Sequence, residues 1–218
     1  MSVEIYGMDM SAPYRIAVMT AEVVGVPYEV KNVDILNGGN MTPEFLELNP
    51  QHNIPVLKYK GLVMNESRAI AGFLASEFDK SGKLYPTCPF VHARVNQRLY
   101  FDMGVFLNAF RDCVHPKVFH NADVPAEKFE KLKKVLAWAN DMIKETGFAA
   151  GTEEMTIADI AWVATYSSIK EADLVDLLPY KELEAWFTKC VALIPNYETC
   201  NGKGVKAMGD FYRSKTKA

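Results

Sequence analysis

The chain has no Cys-x-x-Cys pair, and its four cysteines, Cys88, Cys113, Cys190 and Cys200, are scattered with no histidine at zinc-ligand spacing. This pattern excludes redox exchange on a local dithiol and points to no metal site and no disulfide framework, so the thiols read as buried or incidental in a reducing cytosol. No uninterrupted apolar run approaches the roughly 18 residues of a membrane span, so no membrane is expected as a partner. The opening Met1-Ser2-Val3-Glu4-Ile5-Tyr6-Gly7 carries an acid and no apolar stretch, unlike a secretory signal. Excess positive charge is also missing: 24 basic residues face 27 acidic ones, for a net charge of -3. The most basic stretch is the tail Arg213–Lys217, which reads as a solvated end, and nucleic acid is not an expected partner. Low-complexity segments and internal repeats are absent as well.

What remains is ordinary globular composition, 49% hydrophobic and 23% charged over 218 residues. That length suffices for one large domain or two small ones. The first eighty residues alternate strand and helix signals. Val3–Tyr6 and Tyr28–Val33 read as strands around a helix over Ala12–Val24 that Gly25 stops. Asn37–Asn40 is a loop by composition, and Thr42-Pro43-Glu44 starts a short helix with proline in its first turn. Val56–Tyr59 and Leu62–Met64 flank Lys60-Gly61 as a hairpin, followed by a helix over Ser67–Phe78. This order predicts a small mixed sheet with helices on both faces.

Strand signals stop after Asp79. Ser81–Pro89, with Gly82, Pro86 and Pro89, reads as a linker. The expected organisation is therefore a domain at 1–80, a linker at 81–89 and an all-helical domain at 90–218. Long helical patterns cover Phe90–His115, closed by Pro116, then Pro125–Glu145, Thr156–Glu171 and Lys181–Leu193, with a short one near Gly204–Tyr212. Thr156-Ile157-Ala158-Asp159 has the form of a capping box, flanked by Met155 and Ile160 at the staple positions. It is a folding device with no functional reading.

Three segments carry chemistry. Ser11-Ala12-Pro13-Tyr14-Arg15 joins the first strand to the first helix, where a hydroxyl either caps the helix or donates to an anion held by its N-terminus. Asn49-Pro50-Gln51-His52-Asn53-Ile54-Pro55 leads into a strand, and a proline there predicts a rigid, cis-compatible bend. The backbone of the preceding residue then faces outward and can pair with a peptide-like ligand. In Asn65-Glu66-Ser67-Arg68, Glu66 offers a carboxylate to an ammonium group, and Ser67 with the first helical N–H groups offers a cradle to a carboxylate. Each residue has a plain structural alternative as a cap or surface charge. Together they read as a site for a small zwitterion with a peptide backbone.

With these residues in view, the whole chain resembles the cytosolic glutathione S-transferases, in particular the serine-type insect delta/epsilon group. Asn49–Leu57 as N-P-Q-H-x-I-P-V-L, Glu66–Ile70 as E-S-R-A-I, Val95–Gly104 and Thr156–Ala161 carry the likeness in the right order. The resemblance implies an α/β thioredoxin-like N-terminal domain, an all-α C-terminal helical bundle and a cytoplasmic homodimer that conjugates glutathione to small hydrophobic electrophiles in detoxification. By position, Ser11 would donate to the thiol, His52 would face the glycyl end, Ile54 beside Pro55 would hold the cysteinyl backbone, and Asn40 and Asn53 would also belong to the glutathione site. Glu66 and Ser67 would bind the γ-glutamyl end, with Arg68 nearby. Asn40 stands where the family often has histidine and Asn65 where it often has tryptophan, and Asp112-Cys113-Val114-His115 replaces a run of tyrosines. The acceptor site is expected to be apolar: Ala12, Pro13, Leu107, Phe110, Val114, Val118 and Phe119, closed by Phe211. A non-catalytic carrier of hydrophobic ligands and a glutathione-dependent peroxidase or isomerase are the rival functions on the same fold. The proposed dimer surface comprises the Ser67–Phe78 and Phe90–His115 helices, with Arg94, Arg98 and Asp102 pairing across a two-fold axis.

Overall fold

The computed structural model describes residues 2–144 and 147–216. Glu145, the last residue of the helix expected over Pro125–Glu145, and Lys217, the last of the basic tail, lie outside the described residues. A four-stranded sheet has the order β2-β1-β3-β4, with β1 (Val3–Gly7) parallel to β2 (Tyr28–Asn32) and antiparallel to β3 (Val56–Tyr59). β4 (Leu62–Met64) closes the hairpin on β3. Val3 and Ile5 are fully buried, and the alternation along β1 follows from the period-two geometry of a strand with one covered face.

Two helices cover that face, α1 (Ala12–Val24) and α3 (Ser67–Phe78), through Ile16, Met19, Ile70 and Leu74. Gly25 ends α1 in the left-handed conformation at φ 69, which only glycine adopts at little cost. The short α2 (Pro43–Leu48) begins at the Thr42 cap and packs Phe45 against Val33 and Val56.

Beyond Pro89 the described structure is helical: α4 (Pro89–Phe101), α5 (Leu107–His120), α6 (Ala126–Lys144), α7 (Ile157–Ala172), α8 (Lys181–Leu193) and α9 (Lys203–Thr216). The single helix expected over Phe90–His115 is corrected in two ways. A π turn at Asp102–Phe106 interrupts it, and it passes through Pro116 to end at His120. Proline removes its own N–H and crowds the previous turn, and with only four residues left in the helix the disruption is local. The tail helix is likewise longer than expected, entered by a π turn at Glu198–Gly202.

The capping box forms as the sequence indicates. Thr156 Oγ1 accepts from Ala158 N at 3.3 Å, and Asp159 Oδ2 accepts from Thr156 N at 2.9 Å. Asp159 does more than cap: its other oxygen accepts from Ala149 N at 2.7 Å and Trp186 Nε1 at 2.9 Å. α7 is thereby tied to α8 at the centre of the helical core. α9 returns to the sheet end of the molecule at Gly204, where a Cβ would sit 2.2 Å from the Asp9 carbonyl oxygen. Glycine at this position lets α9 approach the loop before α1 and carry Met208 and Phe211 toward it.

Candidate active site

A cleft of about 320 Å³ lies between the sheet end of the molecule and helices α5 and α9. Ser11 stands at its rim as the N-cap of α1. Its hydroxyl oxygen accepts from Tyr14 N at 3.5 Å, the outer limit of a hydrogen bond, while the Ser11 backbone is held by firm contacts to Met8 O and Arg15 N at 3.0 Å. Among the described residues no acceptor takes the hydroxyl proton. Pro13, in the first turn of α1, has no N–H to leave unpaired, so the helix end presents Ala12 N–H, the hydroxyl and the positive end of its dipole.

The opposite lip is Gln51–Ile54. Asn49, nearly buried, donates to the carbonyl and side-chain oxygens of Asn53 at 2.9 and 2.8 Å, and Asn65 Nδ2 reaches the same Asn53 Oδ1 at 3.1 Å. Asn65 thus ties this lip to the start of α3. Asn40 secures the other end by donating to the His52 carbonyl oxygen at 2.7 Å. The Ile54–Pro55 peptide bond is cis. Among the described residues the Ile54 N–H and C=O have no hydrogen-bond partner, so both are open to a ligand in the cleft.

At the start of α3, Glu66 is exposed and has φ 68 and ψ 96, a conformation rare for a residue with a Cβ. No side chain caps α3, and its first N–H groups are open. Ser67 is buried, and Arg68 Nη1 donates to its oxygen at 2.9 Å. Arg68 Nε donates to Asp102 Oδ2 at 3.0 Å, its Nη2 meets the same oxygen, and Thr165 donates to Asp102 Oδ1 at 2.7 Å. Arg68 is therefore held between Asp102 and Ser67 rather than lining the cleft. Arg98 and Asp102 are both buried, which corrects the expectation that they pair across a dimer axis; Arg94 is exposed.

The structure brings Ser11, Ala12, Pro13, Asn40, His52, Asn53, Ile54, Leu107, Phe110, Val114, Val118, Phe119 and Phe211 into one cleft. Pro55, Glu66, Ser67 and Arg68 lie outside its lining. The lining also contains Met8, Met10, Ile35, Leu36, Arg111, His115, Ser168, Met208 and Tyr212, which the sequence reading missed as site residues. Two of these had a signal. Leu107, Phe110, Arg111, Val114, His115 and Val118 follow the i, i+3, i+4, i+7 spacing of a single helical face, so Arg111 and His115 belong to the stripe that the apolar members define.

Tyr6, a second hydroxyl near the end of β1, is not part of the lining. Its ring packs on the small cluster of Val33, Phe45 and Val56, and its hydroxyl donates to Glu4 Oε2 at 2.6 Å. Burial and the Glu4 carboxylate push its pKa up to about 12. Its hydroxyl is thus held by Glu4, outside the lining of the cleft.

The family model for the glutathione S-transferase N-terminal domain matches residues 1–76, and the model for the C-terminal domain matches residues 103–193. The chain belongs to the glutathione S-transferase family. A delta-class glutathione transferase of Nilaparvata lugens is 40% identical, with 98% of this chain and 99% of that chain covered and a TM-score of 0.94. An epsilon-class enzyme from the housefly Musca domestica is 30% identical over 98% of each chain, with a TM-score of 0.92. A glutathione transferase homologue from Drosophila mojavensis, solved with bound glutathione, is 30% identical over 98% of this chain and 97% of that one, with a TM-score of 0.92. This glutathione transferase uses glutathione as its co-substrate and joins insect delta- and epsilon-class neighbours in fold. Among the described residues no helix is long and apolar enough to cross a membrane, and no cluster of three potential metal ligands is present.

Proposed function

We propose that this glutathione transferase activates its co-substrate through Ser11. The observation that carries the reading is the Ser11 hydroxyl at the start of α1, whose proton no acceptor takes among the described residues, in the same cleft as the open peptide groups of Ile54. Glutathione in this cleft pairs its cysteinyl backbone with Ile54 beside Pro55. Its γ-glutamyl carboxylate meets Ser67 and the open N–H groups of α3, and its ammonium group meets Glu66. Arg68 positions Ser67, Asn40 fixes the His52–Asn53 lip, and His52 faces the glycyl end.

The energetics are sufficient without a general base. A free thiol of pKa about 8.5 is only about 3% ionised at pH 7. Lowering that pKa by about two units takes roughly 2.7 kcal/mol of preferential stabilisation of the thiolate. One charge-assisted hydrogen bond supplies about 1.5–3 kcal/mol, and a helix N-terminus adds up to about 2 kcal/mol. The thiolate then attacks an electrophile held by the apolar wall of Leu107, Phe110, Val114, Val118, Phe119 and Phe211, with Ala12 and Pro13 beside the sulfur. Turnover of 1-chloro-2,4-dinitrobenzene by the Ser11→Ala variant tests the assignment. A loss of tenfold or more supports it, and wild-type turnover sets it aside.

Detoxifying conjugation in the cytosol fits this site. A homodimer over α3 and α4 fits the exposed Phe90, Tyr100 and Met103, which lie along the α4 side of the molecule and include the most exposed phenylalanine. Sedimentation at micromolar protein tests it: a single species of monomer mass contradicts the dimer.

A further inference from the structure

Arg111 sits on α5 between Phe110 and Asp112, half-buried, in the wall of a cleft whose other α5 residues are mostly apolar. Among the described residues it makes no hydrogen bond and no ion pair. Its neighbours are engaged elsewhere. Asp102 is taken by Arg68 and Thr165. Asp112 points away to Lys131 at 3.0 Å and Lys128 at 3.7 Å. Glu66 is close enough to act on the Arg111 charge but forms no ion pair with it, and the proposed glutathione site uses that carboxylate for the ammonium group.

Two guanidinium groups therefore share this region with the buried Asp102 and the exposed Glu66, and Arg111 pairs with neither carboxylate. Arg68 and Arg111 both lie near the single buried carboxylate of Asp102, and Arg68 takes it. Burial and repulsion from Arg68 both disfavour the Arg111 cation, lowering its pKa from the usual value. A guanidinium that has lost water without gaining a partner is a preformed anion receptor, because a carboxylate satisfies its planar donors and offsets its desolvation. The apolar residues on either side along α5 fit the body of the same molecule.

We propose that Arg111 makes the acceptor end of this cleft an anion-recognising subsite, so that the enzyme favours electrophiles bearing a carboxylate on an apolar body. The inference rests on the cleft being the acceptor site. The chemistry of transfer is unchanged. With an aryl chloride, the glutathione sulfur forms the C–S bond, the C–Cl bond breaks, and the electron pair leaves with chloride. Arg111 holds the ring carboxylate through this exchange and takes no proton.

The test compares 4-chloro-3-nitrobenzoate with its methyl ester in the wild type, Arg111→Met and Arg111→Lys. Arg111→Met is expected to lower the benzoate-to-ester ratio of kcat/KM tenfold or more, chiefly through the KM of the benzoate, and Arg111→Lys to restore part of the loss. A ratio within twofold of wild type overturns the inference. So does an equal loss for both acceptors accompanied by a raised KM for glutathione, which would assign Arg111 to the co-substrate. Calorimetric binding of 4-butylbenzoate to the glutathione complex asks the same question without turnover. A tenfold weakening in Arg111→Met supports the subsite, and unchanged affinity overturns it. Failure of the wild type to turn over the methyl ester would instead count against the cleft as an acceptor site, and the calorimetry would still decide the role of Arg111.

Discussion

The buried guanidinium of Arg15 donates to the carbonyl oxygen of Met10 at 2.9 Å, directly before Ser11 in the chain. The same side chain reaches Asp9 O at 3.1 Å, Asn201 Oδ1 at 2.8 Å and Ser168 Oγ at 2.6 Å. One cation thus fixes the loop that carries Ser11 and anchors it to α7 and to the turn before α9. Burial lowers its pKa to about 10, so it remains charged at neutral pH.

Arg15→Met should therefore cost stability and precision together. It leaves several buried acceptors without a donor, each worth about 1–3 kcal/mol, so a loss of about 3 kcal/mol or more is expected in urea unfolding. In the fraction that stays folded, kcat should fall more than the affinity for glutathione, because the Ser11 loop loses its anchor. A variant with wild-type stability would show that these hydrogen bonds contribute nothing net.

Glu66→Ala should act on binding. Its carboxylate is placed for the ammonium end of glutathione, away from sulfur, so KM for glutathione should rise roughly tenfold or more from the loss of a charge-assisted contact. The thiol pKa in the saturated complex should stay where it is. An unchanged KM would remove Glu66 from the site.

Asp159→Ala should unfold the helical core more readily than Thr156→Ala. The threonine hydroxyl serves one cap, worth about 0.5–2 kcal/mol. The aspartate receives hydrogen bonds from Thr156, Ala149 and Trp186, and its loss leaves buried donors on three segments. Equal destabilisation of the two variants would reduce Asp159 to a cap alone.

His115 provides a pH test of the cleft wall. Burial and the Arg111 charge lower its pKa, against Asp112, which raises it, while His120 lowers it further. His115 is therefore neutral at pH 7. Because the folded value lies below the unfolded one of about 6.5, its contribution to stability is present above that pH and is lost as pH falls through the folded pKa. Arg111→Met should move the His115 titration upward in an NMR pH series. An unmoved titration would mean that the two charges do not share the cleft.

Local devices were legible in the sequence. The Thr156–Asp159 box, the Gly25 stop and the Ile54–Pro55 bend depend on residues within a few positions of one another, and the chain states them directly. Ser11 was legible by its place between strand and helix. The Asp102–Thr165 and Arg15–Ser168 contacts join residues 63 and 153 positions apart, which no local pattern encodes. The sequence pattern reads Arg98 and Asp102 as surface charges that pair across a dimer axis, whereas packing between distant helices buries both. Arg111 carries no signal of its own, although its spacing from Leu107 and Val114 marks the cleft face.

The most direct measurement of the central claim is an ultraviolet thiolate titration of the glutathione complex for wild type, Ser11→Ala and Tyr6→Phe. The account predicts that Ser11→Ala raises the pKa of the bound thiol by about one unit or more, on the order of 1.4 kcal/mol of lost thiolate stabilisation. Tyr6→Phe, whose hydroxyl is spent on Glu4 at 2.6 Å, should leave that pKa nearly unchanged. A large shift in Tyr6→Phe with none in Ser11→Ala would contradict it.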